Sequence, residues 1–152
     1  MSHRLFLTTL LASLLAASPA FAGDPIRPDP ALTPGAVGTT DTVFICSGHY
    51  ARSVRHTSGD LKSLIYREYH IRRRHGHYEV DHLIPLGLGG ADVRENLWPE
   101  SFDTEPWNAA RKNDLEEFLH DKVCAGHLAL PEAQRAIAAD WIAAYRRYLG
   151  PR

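Results

Sequence analysis

Cysteine is scarce in this sequence, and its scarcity narrows the kinds of site that the chain can hold. Of 152 residues only Cys46 and Cys124 are cysteines, and they lie too far apart in the sequence to form a CxxC pair. The pattern therefore does not favour a structural zinc site. In an exported protein an isolated pair of cysteines predicts one disulfide, with two buried free thiols as the alternative.

Long hydrophobic runs are also scarce, and the chain contains one only near its start. Residues 5–17 are almost entirely apolar and follow Arg4, and residues 20–22 have a small-x-small pattern. The run is too short to cross a bilayer core of about 30 Å. These features predict a signal peptide over residues 1–22 that is cleaved before Gly23. We therefore expect export to the periplasm or the extracellular space, without stable insertion into the membrane.

The chain lacks an excess of charge of either sign. Its formal net charge is −1, so composition alone gives no indication of nucleic-acid binding. The distribution of charge is more informative, because residues 49–80 contain seven Lys and Arg, three Asp and Glu, and five histidines. A local basic surface attracts phosphate groups even on a mildly acidic protein. A solvated charged face is the alternative, above all for the arginines at positions 72–74.

Proline and glycine indicate how the chain is organised. Residues 23–42 are rich in both and predict an extended, mobile leader, which is followed by a domain over residues 43–152. Strand and helix signals alternate irregularly within that domain and predict an α+β fold. The predicted elements are a short strand at 43–46, a helix capped by Asp60 and reaching residue 69, strands at 78–83 and 97–98, and helices at 106–124 and 131–148.

A group of polar residues between positions 79 and 112 has the chemistry needed for phosphodiester hydrolysis. Its members are Asp81, His82, Asn96, Asn108, Arg111 and Lys112. A histidine that is neutral near pH 7 takes a proton from water, and carboxylate and amide oxygens are ligands for Mg²⁺. Successive side chains on a regular strand point to opposite faces. Asp81 and His82 can therefore serve one site only if the strand ends or distorts there, and Pro85 with the following glycines favours this.

The same segment, residues 79–112, resembles the HNH, or ββα-metal, nuclease motif. An Asp-His pair, a proline and a Gly-Gly follow in order, then Asn-Leu fourteen residues after the histidine, then a helix with asparagine and basic residues. The ordered set is far more specific than a single Asp-His dipeptide. The resemblance implies a small ββα-metal core with flanking helices. It also implies a metal-dependent endonuclease that uses Mg²⁺, or Mn²⁺ or another divalent ion, and cleaves nucleic acid, with DNA expected before RNA although the sequence does not decide between them. The short basic helix and the arginine run contain no base-reading module, so we expect little sequence preference.

The resemblance further implies a role for the residues on the strands. It makes His82 the general base and Asp81 the first metal ligand, while Asn96 braces the loop and orients the histidine. Without the later motif, Asp81 would be interpreted as a turn cap and His82 as a hydrogen-bonded core residue. We expect Asp92 and Glu95, in the loop between the strands, to be solvated.

On the helix, Asn108 is the best match for the second metal ligand. It lies further from Asn96 than in the simplest form of the motif, so Asn113 is an alternative ligand. Asn108 is also explained as a polar residue at a helix N-terminus. Arg111 and Lys112 lie on the same side of the helix as Asn108, and the resemblance implies that one of them holds an oxygen of the scissile phosphate.

Two other functions remain possible at the level of sequence. A non-catalytic nucleic-acid-binding module could retain the ββα shape, but it would be expected to have lost one of the motif residues. An exported nuclease toxin or effector would use the same chemistry for another biological purpose. The sequence does not predict the oligomeric state.

Overall fold

The computed structural model describes residues 25–72 and 76–151. Within these residues it has five α-helices and one two-stranded antiparallel sheet, which confirms the α+β class. The helices are α1 (Thr42–Cys46), α2 (His49–Val54), α3 (Gly59–Glu68), α4 (Ala109–Cys124) and α5 (Leu130–Leu149), and the strands are β1 (Tyr78–His82) and β2 (Leu97–Ser101). The predicted signal peptide, residues 1–22, lies outside the described residues. Among the residues described, no helix has the length and apolar character needed to cross a membrane.

The segment predicted as the first strand is instead the short helix α1. The Asp41 side chain accepts a hydrogen bond from the backbone N of Phe44 at 3.0 Å and so caps the helix. Ile45 faces inward and is buried. The β-prone residues at 43–46 have no neighbouring strand to pair with, and strand propensity is weak without one. The capping aspartate decides the local structure.

Two other helices begin at residues that differ from those predicted. Helix α3 is capped by Ser58, whose side chain accepts from Leu61 N, while Asp60 lies in the first turn. An acidic residue there still stabilises the positive end of the helix. Helix α4 begins after Asn108, whose extended backbone and capping side chain end the preceding loop. Helix α5 follows the prediction but is interrupted at Asp140, where the backbone is extended.

The proline- and glycine-rich segment packs along the domain. Gly38 N and Thr39 N both donate to Gly89 O, at 2.8 and 3.0 Å, and the buried Thr33 hydroxyl donates to Leu97 O at 2.7 Å. Trp141 Nε1 donates to the carbonyl of Ile26 at 2.9 Å. From residue 25 onward the segment is therefore part of the folded unit. Its contacts with the loop after β1, with β2 and with α5 cross the boundary that was expected at residue 43.

The main hydrophobic core lies between α4, α5 and the loop after β1. Trp107 packs edge-on against Trp141 and Tyr145, with ring centroids 5.8 and 5.4 Å apart. Cys46 and Cys124 form a disulfide that ties α1 to the end of α4, and their Cα atoms lie 5.5 Å apart. The predicted pairing is thus present in the structure.

Removing this disulfide is expected to lower the free energy of unfolding by about 4 kcal/mol, because the cross-link closes a long loop in the unfolded chain. The two cysteines are 78 residues apart in sequence. Urea denaturation of the Cys46→Ser/Cys124→Ser double variant measures the loss, and the reduced wild type should match the variant. Equal unfolding free energies with and without the cross-link would contradict the prediction.

Candidate active site

Asp81 and His82 lie next to each other on a regular strand and turn to different neighbours. Strand β1 keeps its register with β2 to its end, where Asp81 pairs with Trp98 and His82 with Leu97. The distortion that would have turned both side chains to one face is therefore absent, and the side chains alternate. Asp81 bonds to Lys112 of α4, whereas His82 bonds to Asp92 in the loop between the strands.

His82 is held by a buried carboxylate. Its Nε2 lies 2.7 Å from Asp92 Oδ1, and the residue is only 5% exposed. Asp92 also accepts from the Thr57 hydroxyl and from the backbone N of His56. Burial by itself would raise the pKa of Asp92, but these hydrogen bonds outweigh burial and lower the pKa. Asp92 is therefore a carboxylate near pH 7, and the expectation that it is solvated is wrong.

The same surroundings set the protonation of His82. Burial lowers the pKa of His82 below its ordinary value, although the nearby Asp92 and Asp81 act in the opposite direction. The imidazole is therefore neutral near pH 7. Because Asp92 offers only acceptors, Nε2 carries the proton and Nδ1 carries the lone pair. A neutral imidazole fixed in this tautomer can accept a proton at Nδ1.

Lys112 is fully buried beneath β1. Its Nζ donates to Asp81 Oδ2, to Glu116 Oε1 and to the carbonyl of His82, the last at 2.8 Å. Burial alone would lower the pKa of Lys112, but the carboxylates of Asp81 and Glu116 raise it. All three ammonium protons are thus used inside the protein. Lys112 is not available to hold a phosphate, so that part of the expectation is corrected.

Arg111, the other helical cation that we expected at the phosphate, remains partly exposed. Its Nη1 lies 3.6 Å from Asp114 Oδ2, one turn further along α4. An exposed pair of this kind is weak and can be exchanged for another anion. Arg111 therefore keeps its capacity to contact a ligand, although it points to its own helix neighbour here.

A set of carboxylates lies on the Asp81 face of the sheet. Glu79 precedes Asp81 by two residues, and Glu100 lies opposite Glu79 on β2. Both oxygens of Glu100 and Oε1 of Glu79 are buried without a hydrogen-bond partner, and burial raises the pKa of both residues. Burial also tends to raise the pKa of Asp81, but the Lys112 ammonium outweighs burial and lowers it. This set was not predicted from the sequence, although the period-two spacing of Glu79 and Asp81 was a signal for it.

These oxygens suit a hard divalent cation in chemical type. In the described part of the chain, no three His, Cys, Asp or Glu side chains are grouped so that they could hold a metal ion. Mg²⁺ does not need such a group, since it keeps several waters and binds through one or two carboxylates together with phosphate oxygens. Asp81 retains one carboxylate oxygen that Lys112 does not bond, and partnerless oxygens of Glu79 and Glu100 lie on the same face. The donor set therefore fits Mg²⁺ or Mn²⁺.

Asn108, the predicted helical ligand, caps α4. Its Oδ1 accepts from Arg111 N at 3.2 Å, and its Nδ2 donates to Glu105 Oε1 at 3.3 Å. The alternative interpretation as a residue of the helix N-terminus thus describes its contacts, although an amide oxygen has a second lone pair. The other candidate, Asn113, is exposed on α4 directly after Lys112. The contacts of these side chains bring neither asparagine to Asp81.

Asn96 ties together the two ends of the loop between the strands. Its Nδ2 donates to the carbonyls of Ile84 and Ala91, both at 2.9 Å, and its Oδ1 accepts from Ile84 N at 2.9 Å. The backbone carbonyl of Asn96 accepts from Leu83 N, directly after the histidine. A fully buried asparagine with its hydrogen-bonding groups satisfied makes the loop rigid. Through Leu83 it also fixes the backbone next to His82.

The Gly-Gly of the motif is explained by this bracing. A Cβ atom on Gly90 would lie 1.8 Å from the carbonyl oxygen of Ile84 and 2.9 Å from Asn96 Nδ2. Gly89 has a positive φ of 78°, which side-chain-bearing residues rarely adopt. Any larger residue at position 90 would push apart the contacts that Asn96 makes. The glycines and Asn96 therefore act as one unit.

Comparisons of the chain with models of known protein families, with curated proteins and with solved structures found no significant match. The chemistry of the site is therefore inferred from its own residues. Strand β1 ends with a neutral, oriented imidazole on one face of the sheet, and a set of largely buried carboxylates lies on the other. The imidazole can remove a proton from water, and carboxylates of this kind can hold a divalent cation.

Proposed function

We propose that the protein is an exported, metal-dependent endonuclease of the HNH type, which hydrolyses phosphodiester bonds of DNA rather than RNA with little sequence preference. The main support is the hydrogen bond between His82 and the buried Asp92 at the end of β1. This strand pairs with β2, and α4 follows in the order that the resemblance implies. The N-terminal apolar run and the disulfide support export to an oxidising compartment.

In this mechanism His82 takes the proton of the attacking water at Nδ1. Asp92 accepts the Nε2 hydrogen bond, keeps the imidazole in the required tautomer and stabilises the imidazolium that forms. Asp81 would hold the divalent ion through its carboxylate, with the partnerless oxygens of Glu79 and Glu100 on the same face of the sheet. When bound, Mg²⁺ or Mn²⁺ neutralises charge on the phosphate and on the departing oxygen.

The His82–Asp92 contact favours an enzyme over a binding module with the same fold. Burying a carboxylate against an imidazole is costly unless every group is hydrogen-bonded. Here two further donors, Thr57 and the backbone of His56, are supplied to the same carboxylate. Such an arrangement orients a base, whereas a surface that only binds phosphate needs exposed cations. A toxin or effector would share this chemistry.

Incubation of the mature chain with supercoiled plasmid and with RNA in Mg²⁺ tests the proposal. We expect nicking and then linearisation of the plasmid, loss of cleavage in EDTA, and recovery when excess Mg²⁺ is added. The His82→Ala protein, purified in the same way, controls for a contaminating nuclease. No cleavage with any divalent ion would overturn the proposed activity, and cleavage that persists in EDTA would remove the metal from it. Cleavage of RNA alone would change the substrate.

A further inference from the structure

Three exposed cations for which no ion pair is described lie close together in the sequence before β1. They are Arg52 on α2, Arg55 directly after α2 and Lys62 on α3. Several other arginines pair with acidic side chains, as in Arg27–Asp140, Arg94–Glu68 and Arg147–Glu132, although no such pair is described for Arg135 on α5. Unpaired, solvated cations can bind phosphate without first giving up a protein partner.

Of these cations, Arg55 is connected most directly to the base. It immediately precedes His56 and Thr57, whose backbone N and side-chain hydroxyl bond to the carboxylate of Asp92. The Asp92 oxygen that accepts from Thr57 is also the one that bonds His82 Nε2. The hydrogen bonds of His56 and Thr57 therefore fix the backbone next to Arg55 to Asp92, the residue that orients His82.

We propose that Arg55, with Arg52 on α2 and Lys62 on α3, forms the phosphate-binding surface of the candidate active site, and that Arg55 holds an oxygen of the scissile phosphate. This inference rests on the proposed nuclease function and gives Arg55 the role first expected for Arg111 or Lys112. A guanidinium is planar and can donate two parallel hydrogen bonds to a phosphate. The partner is the sugar-phosphate backbone of a nucleic acid, because Arg52, Arg55 and Lys62 are suited to anionic oxygens.

The test measures binding and cleavage separately for the Arg55→Ala and Arg55→Lys variants. Binding of a fluorescent 20-base-pair duplex is followed by anisotropy in EDTA over a series of salt concentrations, and cleavage is measured with Mg²⁺. The matched control is Arg135→Ala, which removes an exposed arginine from α5 for which no carboxylate partner is described. Thermal melting of every variant shows whether the fold is kept.

We expect Arg55→Ala to weaken duplex binding several-fold. The slope of log affinity against log salt should become shallower by roughly 0.9, which is the contribution of one phosphate contact. Its kcat should fall by at least about tenfold, as for the loss of a group that orients the reacting phosphate. Arg55→Lys should retain most of the salt slope but recover little of kcat, because an ammonium cannot make the planar two-bond contact. Arg135→Ala should leave affinity and rate unchanged.

The outcomes separate this inference from the nuclease proposal. If the wild type cleaves DNA and Arg55→Ala matches it in affinity, salt slope and kcat, the phosphate-binding role of Arg55 is wrong and the nuclease proposal stands. If the wild type binds DNA through Arg55 but cleaves nothing, the surface stands and the nuclease proposal is wrong. Equal losses in Arg55→Ala and Arg135→Ala would also overturn the inference, since they would indicate only an effect of net charge.

Discussion

Replacing His82 by alanine is expected to lower the rate of DNA hydrolysis by about 10²–10⁴-fold, the usual contribution of a general base. His82 is the group at the end of β1 that is neutral near pH 7 and fixed in one tautomer by Asp92. Neither phosphate binding nor cation binding needs the imidazole, so the variant should bind DNA in EDTA as the wild type does. Single-turnover cleavage in saturating Mg²⁺ measures the rate, and anisotropy measures the binding.

Asp92→Asn is the companion variant for the orientation of His82. It keeps the size of the side chain but removes the negative charge that stabilises the imidazolium. We expect kcat to fall by less than in His82→Ala, with little change in KM, as for a group that acts through the base. Near-normal kcat in His82→Ala would rule out the mechanism, whereas a loss confined to Asp92→Asn would assign Asp92 itself to the chemistry.

The parts of the fold that follow from local sequence were predictable. Strands β1 and β2, helices α4 and α5 and the disulfide all have signals within a few residues, such as alternation, helical spacing and capping. The order of motif residues from Asp81 to Lys112 was equally visible. Helix boundaries were predicted less accurately. Pro106 was expected to begin α4, but the helix begins after Asn108, whose backbone is extended.

The partners of the site residues could not be predicted, because they depend on tertiary contacts. Lysine is almost never fully buried, so Lys112 was interpreted as a surface cation, and only the packing of α4 over β1 turns it inward. In the sequence, Asp92 looks like any other acidic loop residue. Its contact with Thr57, which lies between α2 and α3, forms only in the folded chain. The partnerless oxygens of Glu100 likewise follow from strand register, which pairs it with Glu79.

The largest expected effect on stability comes from Lys112. Replacing it by methionine should lower the free energy of unfolding by about 3–5 kcal/mol, the usual loss when one partner is removed from a buried ion pair. Methionine fills similar space, so the loss reports on the ammonium and not on a cavity. Without the ammonium, Asp81 and Glu116 lose their shared cation, and burial already raises the pKa of Glu116 to about 7. Urea denaturation near neutral pH measures the change.

The control is Lys122→Met on the same helix, where Nζ lies over the Phe118 ring at 5.1 Å and forms no described ion pair. A cation–aromatic contact at a partly exposed position contributes only about 0.5–1 kcal/mol. Added Mg²⁺ should stabilise Lys112→Met more than the wild type, because the carboxylate face then has no ammonium to compete with the ion, and binding to the folded state alone raises stability. If Lys112→Met loses no more stability than Lys122→Met, the buried ammonium does not hold α4 to β1. If Mg²⁺ stabilises Lys112→Met and the wild type equally, Asp81 does not bind the cation. The metal site of the proposed mechanism must then be assigned to other residues.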